Sequence, residues 1–263
     1  MSESRAKPFL HPLKVVLLLV LGVIVFGVTM VVHVPAGWIW QQVKNDVTLP
    51  AGVHVDQLSG QLWTGAARMT VAGYPALINW RFAWPDVAGQ ALPISLRVQT
   101  GRSDLQGNLI LSWPQQMAVN ARGHIGISEF RELIRQSGGA MIEGDVSIER
   151  LSLNWSGEAR PQVDGEALWP GGQVTWPMGS GTGQAVFPPM RADLESNGQG
   201  VALTVAEQGG AGPAALANLH WDGMMDLRVF KRMVDLAGQP WSDSAAPGDV
   251  VFRVRQPVIP GGL

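Results

Sequence analysis

The sequence predicts a mainly β protein carried on one membrane helix. Three observations point there: an uncharged apolar run near the N-terminus, a series of short segments that alternate apolar and polar residues, and many Gly, Pro and Trp beside few charges. Thirty-two Gly, eighteen Pro and eleven Trp in 263 residues, against one Tyr and 15% charged residues, describe many turns and short extended segments rather than long surface helices. An apolar fraction of 46% is enough to bury a sizeable core. The absence of Cys removes disulfides, thiolate catalysis and cysteine-ligated metals from consideration.

The first element is the run from Val15 to Val32, uncharged and continuing through His33 to Val34. As a helix it would span ~30 Å, about one hydrocarbon core. A cleaved secretory signal has a shorter apolar region, ~7–15 residues, and ends in a small-x-small site. Here "VVHVPAGWIW" follows, with bulky residues in that place, so the expectation is an uncleaved anchor. Arg5, Lys7 and Lys14 precede the run and the first basic residue after it is Lys44, which leaves the N-terminus in the cytoplasm and everything from about Pro35 across the membrane. Trp38 and Trp40 fall where interfacial aromatics hold the far end of a span. The expected organisation is a tail at 1–14, a transmembrane helix at 15–34, a linker at 35–50 and a β-rich domain at 51–263.

In that domain "ISLRVQT", "GNLILSW", "DVSIERLSLNW", "GVALTVAE" and "VVFRVRQ" alternate at period two, separated by Gly, Pro, Asn and Asp. This pattern predicts a curved antiparallel sheet with one buried face. Arg97, Gln99, Glu149, Thr204, Arg253 and Arg255 fall on the other face and read as ordinary solvated alternation. Two stretches break the period and are expected as short amphipathic helices. "ISEFRELIRQSGG" has Ser128 as N-cap, Glu129 and Glu132 in the first turn, Phe130, Leu133 and Ile134 as its apolar set, and Gly138 as a stop. "MDLRVFKRMVDLAGQP" places Leu227, Phe230, Met233, Val234 and Ala237 on one face and ends at Gly238 and Pro240.

Features recur along the chain. Trp63 pairs with Trp155, Phe130-Arg131 with Phe230-Lys231, and Gly144-Asp145-Val146 with Gly248-Asp249-Val250, the order expected of two quasi-repeats at about 51–150 and 151–263. Trp-Pro recurs at Trp84, Trp113, Trp169 and Trp176. Because Pro cannot donate to a ladder, each is expected at a strand end, with the Trp over the sheet rim.

No enzymatic device emerges. His11, His33, His54, His124 and His220 lack metal-ligand spacing, so no metal is expected. No nucleophile elbow or phosphate-cradling loop is present, and "GSGTGQAVF" lacks the ending and context of one. It reads as a flexible loop. The acids Asp104, Glu143, Asp145 and Glu149 stand singly, and no cofactor is implied. Sixteen basic and twenty acidic residues follow residue 14, scattered rather than gathered into a basic face, so nucleic acid is not an expected partner.

A short tail, one span, and then "VDQLSGQLWTGAARMTVAGYPALINWRFAW" closely resemble protein N of the bacterial type II secretion system, the GspN family. Its pattern Gly-x-Leu-Trp-Ser/Thr-Gly-x-Ala falls on Gly60, Leu62, Trp63, Thr64, Gly65 and Ala67, with Trp80 and Trp84 in the strand that follows. The likeness is specific over about Val55 to Pro85. It implies a single-pass inner-membrane protein with a periplasmic β-rich domain, an accessory part of the apparatus that exports folded proteins across the outer membrane, working as scaffold or assembly module rather than as an enzyme. The implied partners are the inner membrane and other inner-membrane and periplasmic secretion components. An alternative from another class is lipid handling or envelope biogenesis by an AsmA- or LptC-like protein, which would need a continuous groove of aliphatic side chains. The motif itself is expected to be structural: Gly65 and Gly157 permitting a bulge or tight bend, and Trp63 and Trp155 packing over each sheet half.

Overall fold

The computed structural model describes residues 12–44, 46, 52–71, 73–84, 88–136, 140–157, 159–178 and 181–257. Helices α1 (Pro12–Val32) and α2 (Ala36–Val43) lead into strands β1 (Val53–Gly60), β2 (Thr64–Val71), β3 (Tyr74–Phe82), β4 (Ala91–Gln99), β5 (Asp104–Ser112) and β6 (Gln116–Gly126). A 3-10 turn at Ile127–Phe130, α3 (Arg131–Gln136) and β7 (Met141–Ile142) then interrupt the meander before β8 (Asp145–Ser156) and β9 (Gln162–Trp169). The hairpin β10 (Gly172–Met178) and β11 (Gly181–Phe187) comes next, followed by β12 (Met190–Asn197), β13 (Gly200–Glu207), β14 (Pro213–His220), β15 (Met224–Phe230), α4 (Lys231–Leu236) and β16 (Val250–Pro257).

Thirteen of these strands make one sheet that keeps chain order, β1 to β6, then β8, β9 and β12 to β16, and the pairing is antiparallel throughout. β11, β10 and β7 form a second, small sheet. The five alternating segments read from sequence lie in β4, β5, β8, β13 and β16. Alternation of side chains across each strand sorts the register into two faces. An apolar row runs from Phe82 through Ile94, Leu109, Val119 and Leu153 to Val163, and another from Leu194 through Leu203, Ala217 and Leu227 to Val254. The sheet is thinly covered: its buried apolar residues include Ala76, Ile94, Met190, Ala214 and Ala215, and no large side chain among the described residues is fully enclosed.

Several expectations change at this level. The helix expected from Ser128 starts as the 3-10 turn with Gly126 before it and no side-chain cap. The Ser128 hydroxyl is buried without a partner instead. The expected stop, Gly138, and the apolar position Leu133 lie outside the described residues or side chains. The second helix is confined to Lys231–Leu236, because Met224–Phe230 is strand β15. There Met225, Leu227 and Val229 alternate with Asp226 and Arg228, and pairing on both sides with β14 and β16 overrides a helical reading of the same letters. Both insertions nevertheless occupy the same kind of place, between antiparallel neighbours in the sheet. The boundary expected at 150/151 falls inside β8, and Trp63 precedes a strand where Trp155 stands near the end of one.

Trp169 ends β9, Trp113 follows β5 directly and Trp84 stands two residues past β3, but these last two, Trp84 and Trp113, are 91% and 76% exposed rather than packed over the rim. Trp176-Pro177 lies within β10. Its second neighbour β7 pairs only at Val174 and Thr175, so the donor that Pro177 lacks is not required. Residues 179–180 of the expected Gly-rich loop lie outside the described residues, and Gly181–Phe187 is strand. The apolar run Val15–Val32 falls in α1, several of whose side chains are not described. Among the described residues no helix is long and apolar enough to cross a membrane.

Candidate functional site

Two features of the sheet bear on function, and both pass through β3. The first is a knot built by the Gly-x-Leu-Trp-Thr-Gly-x-Ala segment. Gly60 turns the chain at φ +86, a conformation that suits Gly, and a Cβ there would lie 2.6 Å from the Thr64 carbonyl oxygen. Gln61 N–H donates to that same oxygen at 2.8 Å. Leu62 is held from two sides: its N–H donates to Val34 O at 3.1 Å, and its carbonyl accepts from the Trp80 indole Nε1 at 2.8 Å. Pro35 bridges to Gln61, so the junction of α1 and α2 is bound to the edge of the sheet. Trp63 accepts from Phe82 N–H at 2.8 Å and meets the Phe82 ring edge to face, centroids 5.7 Å apart.

Gly65 is not the bend that the sequence suggested. It pairs in regular register with Gly60 and Trp80, while the irregularity of this hairpin lies at Val55/Gln57 in β1. What requires Gly is the Trp80 indole lying flat over it: a Cβ would come within 2.9 Å of Trp80 Cε2 and 2.7 Å of Ser59 O. Gly157, in contrast, does take a turn, at φ +24. Ala67 sits between Leu58 and Ile78. Beside the knot, α2 and the apolar face of β3, β4 and β5 enclose a trough of about 350 Å³ lined by Ile39, Trp40, Leu58, Ile78, Trp80 and Leu109 among others. Of the eight motif positions, the structure gathers seven into this knot and leaves Trp84 outside it.

The second feature is a hollow of about 790 Å³ on the opposite face, over β2 to β6 and β8. Two polar rows line it, together with Trp80, Leu96, Leu151 and the acid Glu149. One runs Asn79, Arg97, Gln106, Arg122, and the other Arg81, Ser95, Asn108, Asn120. Arg97 forks onto Asp104, Nε to Oδ1 at 2.9 Å and Nη2 to Oδ2, and the bond from Arg97 holds the Asp104 carboxyl below its ordinary value. Arg150 pairs with Asp164 at 2.9 Å. Arg81 and Arg122 have no ion pair or hydrogen bond among the described residues. Register irregularities at Ala121/Gly123 and Ile148/Arg150 place Arg122 opposite Glu149 and Arg150, the position where bulges re-aim side chains. Of the residues that line the hollow, sequence reasoning classed Arg97 and Glu149 as a solvated face. The signal available to it was composition, since this face carries Arg, Asn and Gln and no Lys; only four of the nineteen basic residues in the chain are Lys.

Two carboxylates have structural duties. Glu129, expected as a helix-dipole acid, instead plugs the β4–β5 turn, accepting from Thr100 Oγ1 (2.5 Å), Gly101 N (2.8 Å), Arg102 N (3.2 Å) and Ser103 Oγ (3.1 Å). Burial pulls its carboxyl upward, and these bonds outweigh that pull and leave it below the ordinary value. Asp226 on β15 is buried and held by Arg253 and Arg228, with Arg253 Nη2 at 2.6 Å and Arg228 Nη2 at 3.1 Å. Bonds from Arg253 and then Arg228 hold it far below the carboxylate range. Among the described residues no group of three His, Cys, Asp or Glu stands together.

Comparison with known proteins adds one finding. The family model for type II secretion system (T2SS), protein N matches residues 51–241, well over half of the chain and including the knot and the polar hollow. No curated protein and no solved structure matches.

Proposed function

We propose, for a chain that belongs to the type II secretion system protein N family, that it is a membrane-tethered periplasmic scaffold of that system. Membership makes the chain a component of the secretion apparatus and implies other components as its partners. On this proposal α1 holds the protein in the inner membrane, the N-terminus stays in the cytoplasm, and the sheet stands in the periplasm as an interaction module.

The observation that carries the scaffold reading is the knot. A sheet hung on a free linker would sample all orientations, whereas the bond from Leu62 N–H to Val34 O and the Pro35–Gln61 bridge tie the sheet to the stem. Support for the anchor comes from the uncharged run Val15–Val32 of the sequence, whose described side chains from Val16 to Phe26 are aliphatic or aromatic apart from Gly22 and lie exposed. Confinement to a membrane raises the effective concentration of neighbouring partners, so that weak contacts suffice for assembly. The lipid-handling alternative draws on the apolar face and its trough beside α2. The larger hollow mixes Arg, Asn and Gln with Trp80, Leu96 and Leu151, so it is not the continuous aliphatic groove that the alternative needs.

The test has two arms. Deletion should reduce export of secreted enzymes, and crosslinking in cells should capture another secretion component; unchanged export together with no captured component sinks the proposal. The chain has no Cys, so single cysteines report topology: a membrane-impermeant maleimide should label Ser244→Cys and spare Ser4→Cys in spheroplasts. The reverse pattern refutes the orientation.

A further inference from the structure

We propose that the sheet rim carrying Trp84 and Trp113 rests on the surface of the membrane that α1 enters, with both indoles in its headgroup layer. The inference rests on the reading of α1 as an anchor; the topology supplies the rest. Antiparallel strands in chain order put their connections alternately on two rims. One rim holds the β1–β2, β3–β4, β5–β6 and β8–β9 turns, and Leu62, in the first of these, donates to Val34 O where the stem arrives. The insertions all fall on the other rim: α3 with β7, the β10–β11 hairpin, and α4. Trp84 and Trp113 follow β3 and β5, so they flank β4 on the stem rim about 10 Å apart, and they are the two most exposed Trp among the described residues. The far rim has one exposed Trp among those residues, Trp241.

Height decides between a lipid surface and a protein partner. With β4 upright, a twist of ~20–25° per strand leans β3 and β5 only slightly, so both Trp turns stand at the lowest level of the rim. The β1–β2 turn, two to three strands away, is lifted by roughly 6 Å at the end of a strand about 30 Å long. His33 and Val34 lead from the end of α1 to that turn and reach about 7 Å. The two lengths cancel, which puts Trp84 and Trp113 level with the end of α1, where the headgroup layer begins. Indoles favour that boundary because an apolar ring carries one N–H donor. Trp155, three strands from β4 on the other side, is carried upward by the same twist and is less exposed. Charge does not drive the contact. In the described residues of the four turns Arg160 is the one charged group, and it donates to the Gly198 carbonyl oxygen, while the sequence adds only the acids Asp86 and Glu158.

The experiment places the full chain in vesicles of phosphatidylethanolamine and phosphatidylglycerol with no other protein. It compares two single-cysteine nitrobenzoxadiazole labels, one on Gln115→Cys beside Trp113 and one on Ser244→Cys at the far rim. The rims stand about 30 Å apart, so a headgroup nitroxide lipid should quench the first label at least about threefold more than the second. Trp84→Ala with Trp113→Ala should bring the first label down to the level of the second, and Trp84→Phe with Trp113→Phe should keep part of the contact. Circular dichroism should show both pairs folded, as exposed positions allow. Replacing phosphatidylglycerol with phosphatidylcholine, or raising the salt, should change neither reading. Equal quenching of the two labels, no effect of the alanine pair, or a contact that needs phosphatidylglycerol would each overturn the inference. Alkaline extraction separates it from the anchor reading: a chain stripped from the vesicles refutes the anchor, and a retained chain with equally quenched labels refutes the rim contact alone.

Discussion

Gly65→Ala probes why the family segment needs its second glycine. Gly65 lies in regular strand, so the cost is steric rather than torsional: the new Cβ meets the Trp80 indole and, at 2.7 Å, the Ser59 carbonyl oxygen. Forcing a methyl into such a contact costs about 1–3 kcal/mol. Moving the indole also breaks its 2.8 Å bond to Leu62 O, a further ~0.5–1.5 kcal/mol, for a total of about 1.5–4.5 kcal/mol. Trp80→Phe removes both the donor and the ring edge over Gly65, and costs ~1–3 kcal/mol by leaving the Leu62 carbonyl unanswered. With Phe at 80, Gly65→Ala meets chiefly Ser59 O, so the double variant should be less destabilised than the sum by at least ~1 kcal/mol. Urea unfolding of the four proteins, followed by circular dichroism in detergent micelles, reads the cycle. Additivity within ~0.5 kcal/mol would mean that the indole is not what excludes a side chain at 65.

Trp63→Ala should lower stability by about 2 kcal/mol through the lost contact with Phe82, while Trp84→Ala, at a residue 91% exposed, should change it by less than ~0.5 kcal/mol; a stable Trp63→Ala protein that loses export would assign Trp63 a contact role instead. Glu129→Gln presents an amide NH₂ to a nest of four donors and should cost about 1–3 kcal/mol at pH 7, read by the same urea titration. Because the folded carboxyl lies below its ordinary value, this stabilisation is present above about pH 4 and fades as pH falls below it, so wild type and variant should converge in acid. Asp226 obeys the same sign: the difference in melting temperature between wild type and Asp226→Asn should be full at neutral pH and shrink only below the ordinary carboxylate range, and a difference that grows in acid would contradict the arginine clamp.

What the sequence discloses depends on whether the deciding contact is local. Period two is a local property, and the strand segments around Ile94, Leu109 and Val254 could be read from it. Leu227 and Phe230 satisfied a helical spacing and a strand spacing equally, and only ladder partners 10 to 27 residues away decided for strand. Ser128 had the chemistry of a cap, but the turn into the helix was set by Gly126 and Ser103, whose hydroxyl accepts from Gly126 N–H at 3.2 Å. Gly65 carried the right message for the wrong reason. A glycine required by an indole fifteen residues on looks, in one dimension, like a glycine required by a bend. The polar hollow stayed hidden because solvated and ligand-binding faces share their alternation and differ only in which residues lack partners.

The two functional features are not independent, and Asn79-Trp80-Arg81 is where they meet. Successive strand residues point to opposite faces, so Trp80 enters the knot while its neighbours Asn79 and Arg81 stand in the hollow. Trp80 lies on β3, which is paired over Tyr74–Arg81 to β2 and over Leu77–Phe82 to β4. The stem therefore sets the direction in which Asn79 and Arg81 face relative to α1. Had the knot been absent, the same face would keep its lining but point anywhere. A fixed angle is of use only to a protein whose partners are themselves held in a membrane or in an assembly, which is the setting that the family supplies.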